Sequence, residues 1–321
     1  MNPPFFKTRG VVLSANELTT VDWPTRAKNA GLTTIGIHIS PSQIADFIKS
    51  DEDQAFLEQC DCLGIIVEHE LHAMRDLLPR DLFHKDTTLF RMNEQGQRVP
   101  DFNCCAHSQE AIEVICQNAV SYAEILKPST GRYFYWIDDA QPMCRCPKCR
   151  AFSDSEQALI LENEMLSALR RVDARATLAH LAYQNTLSAP KQVTPREGIF
   201  LEFAPIHRSW EETIGHREAG GKRSHGEYLD LLDANLAVFG AETAQILEYW
   251  LDASRFSNWQ RPAKKLPWRY DVFIEDVAVY GGRGIRNITT FAVFVDADYI
   301  ERFGEPPLEA YGGGLLQFRP T

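Results

Sequence analysis

The segment from Tyr133 to Cys149, YFYWIDDAQPMCRCPKC, places two kinds of reactive side chain close together. The apolar run from Tyr133 to Ile137 is typical of a buried β-strand, and it ends in two carboxylates, Asp138 and Asp139. In an α/β barrel, the residues at the carboxyl ends of the strands form the active site. The segment therefore predicts that an acidic site lies at the end of this strand.

The loop after these acids contains three cysteines, Cys144, Cys146 and Cys149, with the spacing C-x-C-x-x-C. Structural zinc sites are tetrahedral and are closed by four Cys or His ligands, so a fourth ligand is needed. We expect Cys105 to supply it from the loop after the preceding strand, and Cys104 is the alternative. The predicted cofactor is a structural zinc; free or oxidised thiols are the other interpretation.

Segments with strand and helix patterns alternate along the chain. Eight strands are predicted, at 9–14, 33–39, 63–68, 132–137, 177–183, 198–203, 245–250 and 287–295. These segments are apolar throughout, which is typical of parallel strands buried on both faces. We therefore predict an α/β fold, a (β/α)8 TIM barrel with a long third βα loop, as one domain over 1–321. An open doubly wound sheet is the alternative, but no glycine-rich phosphate motif follows the first strand.

Composition excludes several classes of function. The chain has 321 residues, a formal net charge of -11 and no basic run, so nucleic acid is not an expected partner. No apolar run approaches the length of a membrane span, and the first ten residues have no signal-peptide pattern. We expect a cytoplasmic protein with reduced cysteines and no membrane partner.

Four blocks of sequence together resemble a known family. They are HAMRDLLPRDLF with LFRMNEQGQRVPDFNCCAHSQEA, WIDDAQPMCRCPKCRAFSDSEQ, ENEMLSALRRVDARATLAHLAYQNTLSAP, and FAPIHRSW with LEYWLDASRF. In this order they resemble a bacterial family of barrel proteins, catalogued as a domain of unknown function, that is grouped with α-glucuronidases and β-N-acetylhexosaminidases. The resemblance covers 64–316 and implies a glycoside-hydrolase-like barrel. It also includes a cysteine at position 105.

Glycoside hydrolysis usually needs two carboxyl groups across the scissile bond, one of them protonated near neutral pH. Adjacent residues of an extended strand face opposite sides, so Asp138 and Asp139 are not expected to form this pair. The family's acidic position before the cysteines corresponds to Asp139, although the hexosaminidases have Glu there. We predict Asp139 and Glu248 as the catalytic pair, because Glu248 lies near a strand end beside two aromatic residues. The alternatives to Glu248 are Glu68, Glu70, Glu202 and Asp252.

Further residues near predicted strand ends are expected to bind substrate. Arg208 can hold a carboxylate through two parallel hydrogen bonds, which favours a uronic acid. His207 corresponds to a histidine position of the family. Trp136 is a further candidate for an aromatic surface on which a sugar ring stacks. The predicted substrate-binding residues are Glu68, His72, Asp138, Tyr183, His207, Arg208, Tyr249 and Trp250.

The predicted function is a glycoside hydrolase acting on a uronic-acid-bearing or amino-sugar oligosaccharide. A carbohydrate-binding barrel without activity is the alternative, because Asp stands where related enzymes have Glu. A zinc-dependent hydrolase that uses His69 and His72 is a third interpretation. The apolar C-terminal stretch EAYGGGLLQFRP is a candidate contact for a homo-oligomer.

Overall fold

A closed barrel of parallel strands forms the centre of the protein in a computed structural model that describes residues 3–320. Each strand pairs with the next in chain order, and the eighth pairs with the first. The predicted (β/α)8 fold is confirmed. The strands are β1 (Thr8–Leu13), β2 (Thr34–Ile37), β3 (Ile66–His72), β4 (Arg132–Trp136), β5 (Thr177–Ala182), β6 (Ile199–Phe203), β7 (Gln245–Glu248) and β8 (Asn287–Phe291).

Helices surround the barrel, and most begin at a residue that can cap them. Ser108 and Ser153, for example, accept hydrogen bonds from main-chain N–H groups three residues further on, which satisfies donors that the first helical turn leaves free. The helices are α1 (Ala15–Thr20), α2 (Trp23–Asn29), α3 (Pro41–Phe47), α4 (Asp51–Leu63), α5 (Met74–Leu77), α6 (Gln109–Leu126), α7 (Asp154–Leu169), α8 (His225–Phe239), α9 (Ala253–Phe256), α10 (Tyr270–Gly282), α11 (Ala297–Phe303) and α12 (Leu308–Gln317). Short 3-10 helices lie at Arg80–His84, Thr87–Leu89, Cys149–Ala151 and Gln184–Thr186. None of the helices described combines the length and hydropathy needed to cross a membrane.

The third strand lies further along the chain than the sequence indicated. Helix α4 continues to Leu63 and ends at Gly64, whose φ of 66° is the left-handed conformation that glycine adopts easily. The apolar residues after Gly64 therefore begin β3 at Ile66, and the strand continues to His72. As a result, Glu68, Glu70 and His72 belong to the strand itself rather than to the loop after it.

The interior of the barrel is polar below its carboxyl end. Arg132 donates from Nη1 to Glu68 Oε1 at 3.2 Å and from Nη2 to Gln245 Oε1 at 2.7 Å. Gln245 donates in turn to Glu202 Oε1 at 2.8 Å. Within the described residues, both carboxylate oxygens of the buried Glu70 lack a hydrogen-bond partner. Three acids and one arginine thus share the barrel interior, and burial strongly affects which of the acids hold a proton.

The C-terminal stretch packs against the barrel rather than lying free for a partner. In α12, Tyr311 and Leu315 are fully buried, and Tyr311 Oη donates to the Gly10 carbonyl at 2.8 Å. A Cβ atom added at Gly312 would lie 1.9 Å from the Ala30 carbonyl oxygen, so the two helices touch backbone to backbone. The apolar character of this stretch is therefore explained by intramolecular packing, and it gives no support for the expected homo-oligomer contact.

Candidate functional site

A pocket of about 240 Å³ opens at the carboxyl ends of the strands. This is the end at which α/β barrels hold their active sites. Its polar lining residues are His38, His72, Asp139, Tyr183, Asp252 and Ser254. Its aromatic lining residues are Trp136, Tyr249, Trp259 and Phe291. Apolar walls with a few convergent polar groups are typical of a small-molecule site.

Two carboxylates of different environment face this pocket. Asp139 follows β4, and its side chain is 62% exposed. Asp252 follows β7 and is only 4% exposed; burial raises the pKa of its carboxyl to about 6. Its Oδ1 caps α9, accepting from the Ser254 hydroxyl at 2.6 Å and from main-chain N–H groups of Ser254 and Arg255. A proton on the neutral acid therefore belongs on Oδ2, the oxygen without these donors.

Two histidines line the pocket as neutral acceptors. His38 Nδ1 donates to the Glu70 carbonyl at 2.8 Å, and His72 Nδ1 donates to the Ile137 carbonyl at 2.6 Å. Burial lowers the pKa of both rings, that of His38 to about 4. Because each Nδ1 carries the proton, each Nε2 is left as an acceptor for a hydroxyl group. His72 Nε2 lies 3.8 Å from Asp139 Oδ1.

Aromatic side chains form the pocket walls. Tyr249 and Phe291 stack with ring centroids 5.3 Å apart, and His38 packs against Phe291 and against Trp136. Burial and the nearby Asp139 raise the pKa of the Tyr183 hydroxyl, which keeps this group a hydrogen-bond donor. Flat apolar faces combined with donors and acceptors suit a sugar ring, which has both apolar and hydroxyl surfaces.

The structure brings only part of the predicted site together. Asp139, His72, Tyr183 and Tyr249 all line the pocket. Six predicted catalytic or substrate-binding residues do not line it: Asp138, Glu248, Arg208, Trp250, Glu68 and His207.

Asp138, the first of these, faces away from the pocket and holds the third loop. Its Oδ1 accepts from Arg75 N at 3.1 Å, and its Oδ2 accepts from Arg80 Nη2 at 2.9 Å and from Asn103 N at 2.6 Å. The Asn103 side chain accepts from Asp138 N in return. Both carboxylate oxygens of Asp138 thus accept hydrogen bonds from groups of the protein itself. The predicted contact of Asp138 with substrate is therefore not formed.

Glu248 lies between the barrel and α10, because residues alternate across the strand and Leu247 and Tyr249 face the pocket. It accepts from Arg208 Nε at 2.8 Å and from Tyr280 Oη at 2.6 Å. The pairing with Asp139 that the sequence suggested is therefore absent. Asp252, four residues later in the chain, reaches the pocket instead.

Arg208 is committed to the same buried group and is 3% exposed. Besides Glu248, its guanidinium pairs with Asp276, which also accepts from Trp250 Nε1 at 2.9 Å. The predicted contacts of Arg208 and Trp250 with substrate are thus replaced by a structural ion-pair group behind the pocket wall. The expected carboxylate clamp for a uronic acid is not formed.

The last displaced residues are Glu68, His69 and His207. Glu68 pairs with Arg132 below the pocket, and alternation in β3 turns the buried His69 outward. His207 is exposed in the loop after β6 and does not line the pocket. In residues 3–320, the four cysteines described next are the one group of close metal-binding side chains, so the zinc hydrolase based on His69 and His72 has no geometric support.

Sequence reasoning missed His38, Ser254, Trp259 and Phe291, and it ranked Asp252 below Glu248. The sequence did contain a signal for His38. Side chains alternate between the two faces of a strand, so His38 lies on the same inner face as Thr34 and Gly36. No comparable signal existed for Trp259, which lies in an irregular loop after α9.

Cys105, Cys144, Cys146 and Cys149 converge in a second candidate site, the cysteine cluster. Their sulfur atoms all lie within 4.8 Å of one another, and Cys105 Sγ is 3.8 Å from both Cys146 Sγ and Cys149 Sγ. Four sulfurs about 2.3 Å from a tetrahedral zinc are about 3.8 Å apart, so the spacing fits that ion and not disulfides. Cys104, the alternative fourth ligand, is buried outside the cluster.

Donors surround the cysteine cluster as they surround metal thiolates. The main-chain N–H groups of Met92 and Cys146 point at Cys144 Sγ, at 3.3 and 3.5 Å. The Arg98 guanidinium lies 3.7 Å from the same sulfur, and His107 Nδ1 lies 3.3 Å from Cys149 Sγ. Such donors offset the negative charge that four thiolates would gather around one cation. The residues present therefore fit a closed structural metal site that ties the third loop to the fourth.

Fold and pocket together define a (β/α)8 barrel protein with two acids in a sugar-sized pocket. The chain matches the family described as Domain of unknown function (DUF4838) over residues 10–231, and it belongs to this family. Comparison with curated proteins gave no match.

The structure is similar to solved glycoside hydrolases. PbGH5A, a glycoside hydrolase family 5 enzyme from Prevotella bryantii B14, is 12% identical with a TM-score of 0.52, covering 98% of this chain and 99% of that chain. A variant of that enzyme in complex with the xyloglucan tetradecasaccharide XXXGXXXG is 11% identical with a TM-score of 0.54 and the same coverage. A GH20 module of the pneumococcal exo-β-D-N-acetylglucosaminidase StrH is 8% identical with a TM-score of 0.50, covering 98% of this chain and 86% of that chain. At these identities the similarity establishes the barrel fold alone.

Proposed function

We propose that the protein is a glycoside hydrolase in which Asp139 and Asp252 are the catalytic carboxylates. The observation that supports this most directly is the pairing of one buried and one exposed acid in a single aromatic pocket. Glycosidases need one acid that holds its proton and one that does not, and different environments supply that difference. The fold shared with known glycoside hydrolases agrees with the proposal.

In this mechanism Asp252 is the general acid. Burial favours its neutral form, and the proton on Oδ2 is available to the glycosidic oxygen as the bond breaks. Asp139 serves the anomeric carbon, as a nucleophile or through a water molecule. His38 and His72 accept hydroxyl protons of the sugar through Nε2, and Tyr183 orients Asp139.

The pocket favours a neutral or amino sugar over a uronic acid. Its ionisable lining groups are two carboxylates, two neutral histidines and two tyrosines, and no lysine or arginine lines it. A uronate would bring a negative charge to two acids with no cation to pair it. The proposed substrate is therefore an amino sugar, as the sequence suggested, or a neutral sugar, and a uronic acid is no longer part of the proposal.

The test is hydrolysis of a panel of aryl glycosides that includes neutral, N-acetylamino and uronic sugars. The wild-type protein is expected to turn over a member of the first two groups, with a rate that falls as pH rises above about 6. Asp252→Asn and Asp139→Asn should each reduce kcat at least about 100-fold, since acid–base groups typically contribute that much. Asn is itself a good helix cap, so Asp252→Asn preserves α9.

Asp22→Asn is the matched control, because Asp22 also caps a helix by accepting an N–H, and it does so outside the pocket. It should leave kcat unchanged. Wild-type protein that hydrolyses nothing in the panel, or Asp252→Asn protein with full activity, contradicts the proposal.

A carbohydrate-binding protein without activity is the second candidate. Its support is the helix-capping role of Asp252 Oδ1, which alone could explain a buried acid at this position. That protein would bind sugars with no turnover, and Asp252→Asn would leave binding intact.

We also propose that the cysteine cluster holds a structural zinc. Metal analysis of protein purified without chelator should find about one zinc per chain, and Cys149→Ser should lower that content. Protein without bound metal contradicts this.

A further inference from the structure

Trp259 stands at the mouth of the pocket with most of its side chain in solvent. It is 59% exposed, the largest value among the large hydrophobic residues that are exposed in the described part of the chain. It also lines the pocket, together with Asp252 and Ser254. Tryptophan is a large apolar surface, and leaving it in water at the rim of a ligand pocket is typical of a binding contact rather than of packing.

The backbone holds the indole in this exposed position. Asn258 and Trp259 have φ angles of 53° and 55°, a left-handed backbone conformation that is unusual for residues other than glycine. Trp259 N donates to the Ser254 carbonyl at 2.7 Å, and Asn258 N donates to the Arg255 carbonyl at 3.2 Å. The chain thus turns tightly back onto α9, and the ring projects from a closed turn.

The same short unit holds the proposed acid. Asp252 caps α9 through Ser254, and Ser254 N also donates to the Val293 carbonyl at 3.1 Å, which ties the unit to the chain after β8. Ser257 Oγ, two residues before Trp259, accepts from Lys264 N at 2.8 Å and closes the loop. Trp259 and Asp252 therefore belong to one hydrogen-bonded segment, 252–264, whose main chain ties their positions to each other.

The inner pocket has room for one sugar ring. Its volume is about 240 Å³, and its inner walls are the buried Trp136, Tyr249 and Phe291. A second ring of an oligosaccharide must lie outside these walls, toward the open mouth of the pocket. Trp259 is the aromatic surface at that place.

We propose that Trp259 forms a second sugar subsite, which stacks the residue attached to the glycosidic oxygen while the inner pocket holds the ring that is cleaved. This rests on the proposed function and specifies its substrate as a disaccharide or longer chain of neutral or amino sugars. The subsite adds affinity for the leaving sugar and contributes little to a single sugar bound between the inner walls.

The test compares binding of monosaccharides and disaccharides by calorimetry, with Asp139→Asn present in every protein tested, including the one called wild type here, so that disaccharides bind without being hydrolysed. The probes are glucose, galactose, mannose, xylose and N-acetylglucosamine with their α- and β-linked disaccharides. For the sugar that binds wild-type protein, Trp259→Ala should weaken disaccharide affinity about tenfold, the scale of one lost aromatic contact, and change monosaccharide affinity less than twofold. Trp259→Phe should restore most of the difference.

Tyr270→Ala is the matched control, since Tyr270 is also an exposed aromatic, at 49%, and does not line the pocket. It should change neither affinity. If wild-type protein binds disaccharides and Trp259→Ala does not weaken them selectively, this inference fails and the proposed function stands. If wild-type protein binds no sugar of the panel, both fail.

Discussion

Asp138 and Asp139 are neighbours in sequence with opposite environments. Asp138 is buried against Arg80 and Asn103, whereas Asp139 opens to the pocket and to water. The alternation of an extended chain produces this division, because each carboxylate follows the face of its own Cα. One acid thus stabilises the loops, and its neighbour is free for chemistry.

We expect Asp138→Ala to lower the free energy of unfolding by about 3 kcal/mol, because it leaves Arg80 and two main-chain donors without their buried partner. Asp139→Ala should change it by less than about 0.5 kcal/mol, as surface substitutions usually do. Urea unfolding of both variants measures the difference. Equal destabilisation would show that the two acids do not divide these roles.

Asp252 should make the protein less stable at high pH. Folding raises its pKa from 3.8 to about 6, so between these values the folded state holds a proton that the unfolded state has lost. The free energy of unfolding then falls as pH rises through this window, by about 3 kcal/mol for a shift of this size. Asp252→Asn removes the contribution, so the variant should be more stable than wild type at pH 8 and not at pH 4. Thermal unfolding at both pH values checks this, and a variant less stable at pH 8 contradicts it.

The division between Asp138 and Asp139 follows from strand geometry and was predictable from the sequence. The second pocket acid was not, because choosing between Glu248 and Asp252 requires knowing where β7 ends. That end is set by a turn in which Asp252 N donates to the Tyr249 carbonyl at 3.2 Å, after which Asp252 caps α9. Arg208 was misassigned for a related reason: its partner Asp276 lies in α10, distant in sequence and unmarked by any motif.

At the scale of elements, the cysteine cluster joins two long loops that have few regular segments of their own. Arg98 and His107 of the third loop contact sulfurs of the fourth, and Arg145 N donates to the Met92 carbonyl at 2.8 Å. Asp138 also connects the third loop to the start of the fourth, because its Oδ2 accepts from Asn103 N. The proposed metal at the cysteine cluster would therefore order the wall from which Asp139 projects.

Chelation of the metal, or Cys149→Ser, is expected to lower Tm and to expose the third and fourth loops to protease before the barrel unfolds, because closing a long loop through a metal removes much of its entropy. Limited proteolysis with mass spectrometry locates the cuts. Cys62→Ser, at an exposed cysteine outside the cluster, is the control and should change neither quantity. Cuts spread evenly over the barrel helices after chelation would contradict the expectation.

The element order was predictable because eight apolar segments alternate with amphipathic ones. The helix boundaries were less so: apolar residues recur at helical spacing through 42–58, yet this stretch forms parts of two helices, since Ser50 caps a new one at Asp51. The contact of α12 with α2 also escaped prediction. An apolar C-terminal stretch has the same pattern whether it covers its own barrel or another chain.

The whole molecule is built around an unusually polar barrel interior. Burial raises the pKa of Glu202 to about 8, and burial and neighbouring acids raise that of Glu70 well above its ordinary value. Both side chains therefore hold protons in the folded state at neutral pH, and Glu68 is the acid that pairs with Arg132 directly. Three acids can lie together in the interior because not all of them are ionised.

This interior should make the fold sensitive to alkali. The folded state holds the Glu202 proton up to about pH 8, whereas an unfolded chain loses it near 4.5, so the free energy of unfolding falls as pH rises between these values. The buried histidines act in the opposite direction below pH 6.5, since folding lowers their pKa values. Stability should thus be greatest at mildly acidic pH, and Glu202→Gln should flatten the decline toward pH 9 in denaturant titrations. A wild-type curve that rises toward pH 9 would contradict this.

The polar interior also has a consequence for how the barrel chooses its strand alignment. A slip of two residues between neighbouring strands keeps every side chain on its correct face, so a purely hydrocarbon interior would distinguish the two alignments only by packing. Here such a slip would separate Arg132 from Glu68 and Gln245 and leave a largely buried guanidinium without these partners. The buried hydrogen bonds of Arg132 therefore favour one strand register over the alternatives when the barrel closes.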